Sequence, residues 1–134
     1  MKEEKVFLPS DNYKDEYKIL INKGIDSWYL VKLITNNDIF SFTRGTRATS
    51  RNLFKLRAIA TLICEIKLSQ EEAALLIHSG VSSSKSLAAL SPQELLQKTG
   101  RFERQIKSGR KPIVNLVNAC DWIKRAKSLR QIQN

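Results

Sequence analysis

Nine consecutive residues, Thr43-Arg44-Gly45-Thr46-Arg47-Ala48-Thr49-Ser50-Arg51, bring together three guanidinium groups, four hydroxyls and a glycine. Arginine offers paired charged donors that match phosphate oxygens, and a helix starting at the end of this segment adds backbone N–H groups and the positive end of its dipole. A second basic segment holds Arg101, Arg104, Lys107, Arg110 and Lys111, with Phe102 available for stacking on a base or for the core. The candidate polyanion contacts are therefore Arg44, Arg47, Arg51, Arg101, Arg104, Lys107, Arg110 and Lys111. The competing explanation is a solvated basic loop kept for solubility. Lys124, Arg125, Lys127 and Arg130 are secondary candidates, because cations at a helix C-terminus also serve to complement the macrodipole.

Catalytic chemistry has little to draw on. His78 is the single histidine, sits at the predicted end of a helix where dipole complementarity explains it, and has no second histidine with which to build a zinc site. Cys64 and Cys120 lack CxxC spacing and lie among apolar neighbours, which predicts buried thiols in a reducing compartment. The acid pairs Glu3-Glu4, Asp15-Glu16 and Glu71-Glu72 are sequence neighbours, and on a helix such neighbours point about 100° apart. No phosphate-binding glycine loop, dinucleotide fingerprint or calcium loop occurs. The expectation is a protein that is not an enzyme and has no cofactor and no metal.

The elements that must position these residues are bounded by size and charge. With 134 residues, 42% of them hydrophobic and 27% charged, the chain is the length of one domain. No apolar run approaches the roughly 20 residues needed to cross a bilayer, and the N-terminus lacks a secretory pattern, so a cytoplasmic, non-secreted protein is expected. Its 23 Lys and Arg against 13 Asp and Glu give a net charge of +10, which favours polyanion partners. The charge alternates along the chain: −1 over residues 1–40, +5 over 41–67, −2 over 68–96 and +8 over 97–134.

That alternation prompts a search for an internal repeat. Shifted by 56, Leu20-Ile21-Asn22-Lys23-Gly24-Ile25 falls on Leu76-Ile77-His78-Ser79-Gly80-Val81, and Thr35-Asn36-Asn37-Asp38 falls on Ser91-Pro92-Gln93-Glu94. A shift of 60 then aligns Leu53, Leu56 and Ile63 with Ile113, Leu116 and Ile123. Each unit reads as helix, glycine turn, short helix, capped short helix, basic loop and long apolar helix. In the second unit, Ser69 with Glu72 forms a capping box, Gly80 ends the helix, Ser82 or Ser83 caps the next, and Ser91-Pro92 starts a short one. The loop runs over residues 100–111, and Pro112 opens a last helix whose stripe is Ile113, Leu116, Val117, Cys120, Ile123 and Ala119. Trp28 and Trp122, at helical apolar spacings, are expected in the core.

The two units resemble tandem helix-hairpin-helix repeats. Leu75-Leu76-Ile77-His78-Ser79-Gly80-Val81, Ser86-Leu87-Ala88, Ser91-Pro92-Gln93-Glu94-Leu95 and Asn115-Leu116-Val117-Asn118-Ala119-Cys120-Asp121-Trp122-Ile123 are similar to an uncharacterised family of small proteins and domains with degenerate repeats of that kind. The resemblance is closest over residues 70–127 and weaker over 13–67. It implies an all-helical fold and a nucleic-acid connection, with no established activity. The hairpins depart from the phosphate-binding Gly-apolar-Gly pattern: they read Gly24-Ile25-Asp26 and Gly80-Val81-Ser82, so Asp26 repels an anion and Ser82 adds a side chain where bare backbone is wanted.

The sequence thus predicts an all-α fold of two tandem helix-hairpin-helix-like repeats packed as one compact domain, with a tail over 1–10, repeats over 11–67 and 68–128, and a tail over 129–134. The expected function is non-enzymatic binding of DNA or RNA, mainly through phosphates. The rival is an adaptor docking on an acidic protein or nucleoprotein complex, with Tyr13, Tyr29 or Phe42 as exposed hotspots. An anionic membrane surface is a weaker fit, since no apolar insertion face accompanies the bases.

Overall fold

Polar caps at helix starts and glycines at helix ends divide the chain into short helices. The structure, a computed structural model, describes residues 11–106 and 113–133. A 3-10 turn, Asp11–Tyr13, leads into α1 (Lys14–Asn22), followed by α2 (Trp28–Lys32), α3 (Asn36–Thr43), α4 (Ser50–Ile66), α5 (Gln70–His78), α6 (Ser84–Ala88), α7 (Pro92–Ile106) and α8 (Leu116–Gln133). The fold is all-helical, with no strand among the described residues.

The turn after α1 recurs after α5, bond for bond. Ile25 N–H donates to Leu20 O at 2.8 Å and Gly24 N–H to Ile21 O at 3.0 Å, while 56 residues later Val81 donates to Leu76 O at 2.8 Å and Gly80 to Ile77 O at 3.1 Å. These are the paired bonds of a Schellman stop, and they require a left-handed residue, which Gly24 (φ 80°) and Gly80 (φ 93°) supply. Ser27 and Ser83 then cap five-residue helices by accepting from Leu30 N and Ser86 N. Thr35 and Ser91 cap the helices after those, with Asp38 and Glu94 answering back to the cap N–H.

The long α4 is the spine. Leu53, Leu56, Ile59, Ala60, Leu62, Ile63 and Ile66 are all buried, covering more than one face of the helix, and α2, α3, α5, α6 and α8 pack against it. Burying a side chain of this size stabilises by about 1.5–3 kcal/mol, so α4 dominates the energetics. α8 carries α6 and α7 as α4 carries α2 and α3, and the two long helices touch. Trp28 and Trp122 are buried as the sequence predicts, and one hydrophobic core runs through both halves. Lys67, left-handed at φ 63°, ends α4 where the first unit was expected to end.

Five expectations about the second half need correction. α7 does not stop at Gly100 but continues to Ile106, because buried Leu95 and Thr99 and half-buried Phe102 extend its inward face past the glycine. A helical glycine costs only about 1 kcal/mol relative to alanine, which that burial outweighs. α8 begins at Leu116, where Asn115 caps it by accepting from Asn118 N at 2.8 Å; Ile113 precedes the helix in a bend. The expected apolar stripe is therefore misregistered: Val117 is 77% exposed, Leu116 50% exposed and Cys120 exposed, while Val114, Ala119, Trp122, Ile123 and Ala126 are buried. The caps Thr49 and Asn115 are 66 residues apart, so Leu56 and Trp122, not Leu56 and Leu116, stand at the same distance from their caps. α8 also runs to Gln133, through the tail boundary expected after residue 128.

Candidate functional site

The loop between α3 and α4 is held by its own hydroxyls. Thr43 Oγ1 donates to Ile39 O at 3.2 Å, Thr46 Oγ1 donates to Thr43 O at 3.0 Å and accepts from Ala48 N, and Thr49 Oγ1 accepts from Asn52 N at 3.1 Å. Gly45 turns the chain at φ 71°, and buried Ala48 pins the loop to the body. These hydroxyls build the loop. What the segment offers to solvent is the guanidinium groups of Arg44, Arg47 and Arg51, all exposed.

The α4 N-terminus is already partly answered from within the protein. Glu16 of α1 is buried, and its Oε2 accepts from Thr49 N at 2.8 Å and from Asn52 Nδ2 at 3.3 Å. A carboxylate there satisfies a donor and complements the dipole, so the helix end contributes less to an incoming phosphate than the sequence suggests. Glu16 gave no sign of this in sequence, where it reads as one of two first-turn acids.

Arg101 and Arg104 are exposed on α7, on a helix and not in a loop, and exposed Lys98 lies one turn before Arg101. Between them Glu103 turns inward and accepts from Ile113 N at 2.9 Å. Lys107, Arg110 and Lys111 lie outside the described residues, as does the side chain of Arg130.

One segment, Tyr13–Glu16, touches neighbours of both basic clusters. Glu16 touches Thr49 in the first, and Tyr13, one turn before Glu16, hydrogen-bonds His78 Nε2 at 2.8 Å. His78 stacks on Tyr13 (centroids 6.2 Å apart) and on Phe102 (5.7 Å), the neighbour of Arg101. Burial, then the charge of Lys55, push the His78 imidazole below its ordinary range. The shift favours the neutral imidazole, whose partners at the end of α5 are the Tyr13 hydroxyl and the two rings. Phe102 belongs to this stack and packs against the core.

Of the C-terminal candidates, Lys124 and Lys127 are exposed, but Arg125 is engaged: Nη1 donates to Ile66 O at 2.9 Å, closing the end of α4, and Nη2 pairs with Asp121 at 2.7 Å. The open groove beside it, about 420 Å³, is lined by Glu65 and Asp121 as well as Lys67 and Lys124, a mixed charge that does not favour a polyanion. Among the expected hotspots Tyr13 is buried and Phe42 half-buried under Lys23, leaving Tyr29 exposed. Phe40, 52% exposed, is the aromatic that the sequence reading passed over.

No described helix is long and apolar enough to cross a membrane. Comparison with curated proteins and with solved structures finds no match. Residues 11–129, which include both glycine turns, all of α4 and most of α8, match one family model, and the chain belongs to that family, described as a domain of unknown function (DUF4332).

Proposed function

We propose that this protein binds nucleic acid without catalysing a reaction, through phosphate contacts made by Arg44, Arg47 and Arg51 and by Arg101 and Arg104. The observation that carries the reading is that one segment, Tyr13–Glu16, contacts Thr49 beside the first cluster and, through His78 and Phe102, the helix that holds the second. One extended polyanion engaging both clusters is what this reading expects, and no acidic side chain pairs with these five arginines among the described residues. The repeated Schellman stop, serine cap and five-residue helix support taking the halves as degenerate helix-hairpin-helix units, although exposed Asp26 leaves the first hairpin a poor phosphate clamp. Cys64 and Cys120 form no disulfide with each other and Cys120 is exposed, which suits a reducing compartment such as the cytoplasm.

The reading is tested by anisotropy titrations of labelled duplex DNA, single-stranded DNA and structured RNA over a series of salt concentrations. Five phosphate contacts predict a log–log salt slope of about −3 to −5, depending on strandedness. Absence of binding to all three at low salt sinks it. The adaptor reading then takes its place, favoured by the apolar surface that Leu116 and Val117 expose at the start of α8.

A further inference from the structure

α3 presents a row of three different chemistries. Asn36 and Phe40, four residues apart, share one side of the helix, Arg44 caps its C-terminal end in extended backbone (ψ 123°), and all three are exposed. Over about 12 Å the row offers an amide with both donor and acceptor, an aromatic ring and a guanidinium group.

Phe40 is held in place from behind. Its ring meets that of Phe54 at 5.7 Å with planes 66° apart, the Arg57 guanidinium covers Phe54 at 4.9 Å, and Arg57 Nη1 is fixed by donating to Ile34 O at 3.1 Å. A half-exposed ring so supported loses little freedom when something stacks on it. Immediately after it come Arg44, Arg47 and Arg51, within the stretch 41–67 that carries a net +5. A flat apolar surface next to concentrated positive charge matches a ligand that alternates flat rings with anions.

Duplex DNA and RNA hide their base faces in the stack, whereas a single strand exposes them. We therefore infer that the Asn36–Phe40–Arg44 row is a single-strand binding site, on which one unpaired base stacks against Phe40 while Arg44 and its neighbours take the flanking phosphates. The inference rests on the nucleic-acid reading above and narrows it to unpaired strands. The second half has no counterpart: 56 residues on stand Pro92, half-buried Leu96 and Gly100, which supply neither ring nor charge. One such site among the described residues follows.

The test is anisotropy with a labelled oligothymidylate and with a duplex of equal length, using the full chain and Phe40→Ala, Phe40→Leu and Phe40→Trp, each checked for an unchanged helical spectrum. Stacking predicts a preference for the single strand, a loss of about 10-fold in Phe40→Ala and Phe40→Leu, and retention in Phe40→Trp. Duplex affinity and the salt slope should not change, because the phosphate contacts survive. Equal wild-type affinity for both ligands, or full single-strand affinity in Phe40→Leu, overturns the stacking site while leaving the phosphate reading intact. No binding of either ligand overturns both, and points instead to a protein partner for Phe40.

Discussion

Tyr13 Oη lies 2.8 Å from His78 Nε2, and the two rings stack with their planes 7° apart across 65 residues of sequence. The contact fastens the start of the first half to the end of α5, and Phe102 of α7 joins the same stack. Burial, with the Glu16 carboxylate adding to it, pushes the Tyr13 hydroxyl above its ordinary range, while burial and Lys55 push His78 down. Both shifts favour the neutral pair.

The pH dependence of stability follows from His78. Its folded pKa lies below the unfolded value of about 6.5, so the contribution is complete above that pH. As pH falls, the unfolded chain takes up the proton first, and stability is lost until the folded pKa has been passed. His78→Phe removes this titration and keeps a ring. Urea midpoints of the two proteins at about pH 7.5 and about pH 5 should show the wild type losing more than the variant. Equal losses would mean that the pair does not couple folding to protonation.

Glu16 gives a second prediction, with opposite signs for two measurements. Glu16→Ala strands the Thr49 N–H and should lower stability by about 1–3 kcal/mol. Glu16→Gln keeps an acceptor but removes the negative charge at the α4 N-terminus, so its stability should fall between the two. Because that charge opposes an incoming phosphate, Glu16→Gln should also tighten oligonucleotide binding modestly. Denaturant titration and anisotropy on the same samples check both.

The helices were legible wherever the signal was local. Ser69 with Glu72, Ser91 with Glu94, and the two glycine stops all carry their partners within a few residues, and each forms as read. Contacts across long separations were not legible: nothing in the neighbourhood of Glu16 points to Thr49, 33 residues away, nor does Arg125 point to Ile66, 59 residues away. Gly100 misleads for a related reason: it is a local break signal, yet α7 runs through it because Leu95, Thr99 and Phe102 find the core on either side of it. The exposure of Arg44, Arg47, Arg51, Arg101 and Arg104 follows from their charge, but which hydroxyls and helix ends stay open to solvent depends on the tertiary structure.

Alanine substitutions at three glycines should separate stop from passage. At Gly24 and Gly80 an added Cβ meets nothing within 4 Å, so the cost is the left-handed backbone alone, about 1–2 kcal/mol at each. The two losses should be similar, since the turns share their hydrogen bonds. Gly100 is helical, and an added Cβ meets the flexible end of Arg104 at 3.3 Å. Gly100→Ala should therefore stabilise, by up to about 1 kcal/mol. Thermal and urea unfolding of the three variants decides it, and destabilisation by Gly100→Ala would show that α7 needs flexibility there.

Charge reversal distinguishes the arginines that face solvent from those that hold the fold. Arg44 and Arg47 replaced together by Glu, or Arg101 and Arg104 replaced together, should leave the helical spectrum and melting temperature nearly unchanged, because all four side chains are exposed. Either pair should weaken nucleic-acid binding strongly and flatten the salt dependence, since each reversal removes a phosphate contact and adds a repulsion. Arg125→Glu should behave the other way, loosening the end of α4 by losing the bond to Ile66 O and placing a like charge next to Asp121. If one polyanion spans both clusters, the two double reversals will fall short of additivity in a cycle, because the strand cannot seat on one cluster without the other. Strictly additive losses would mean that the clusters act on separate ligands, and an unfolded Arg44/Arg47 variant would make the loop structural.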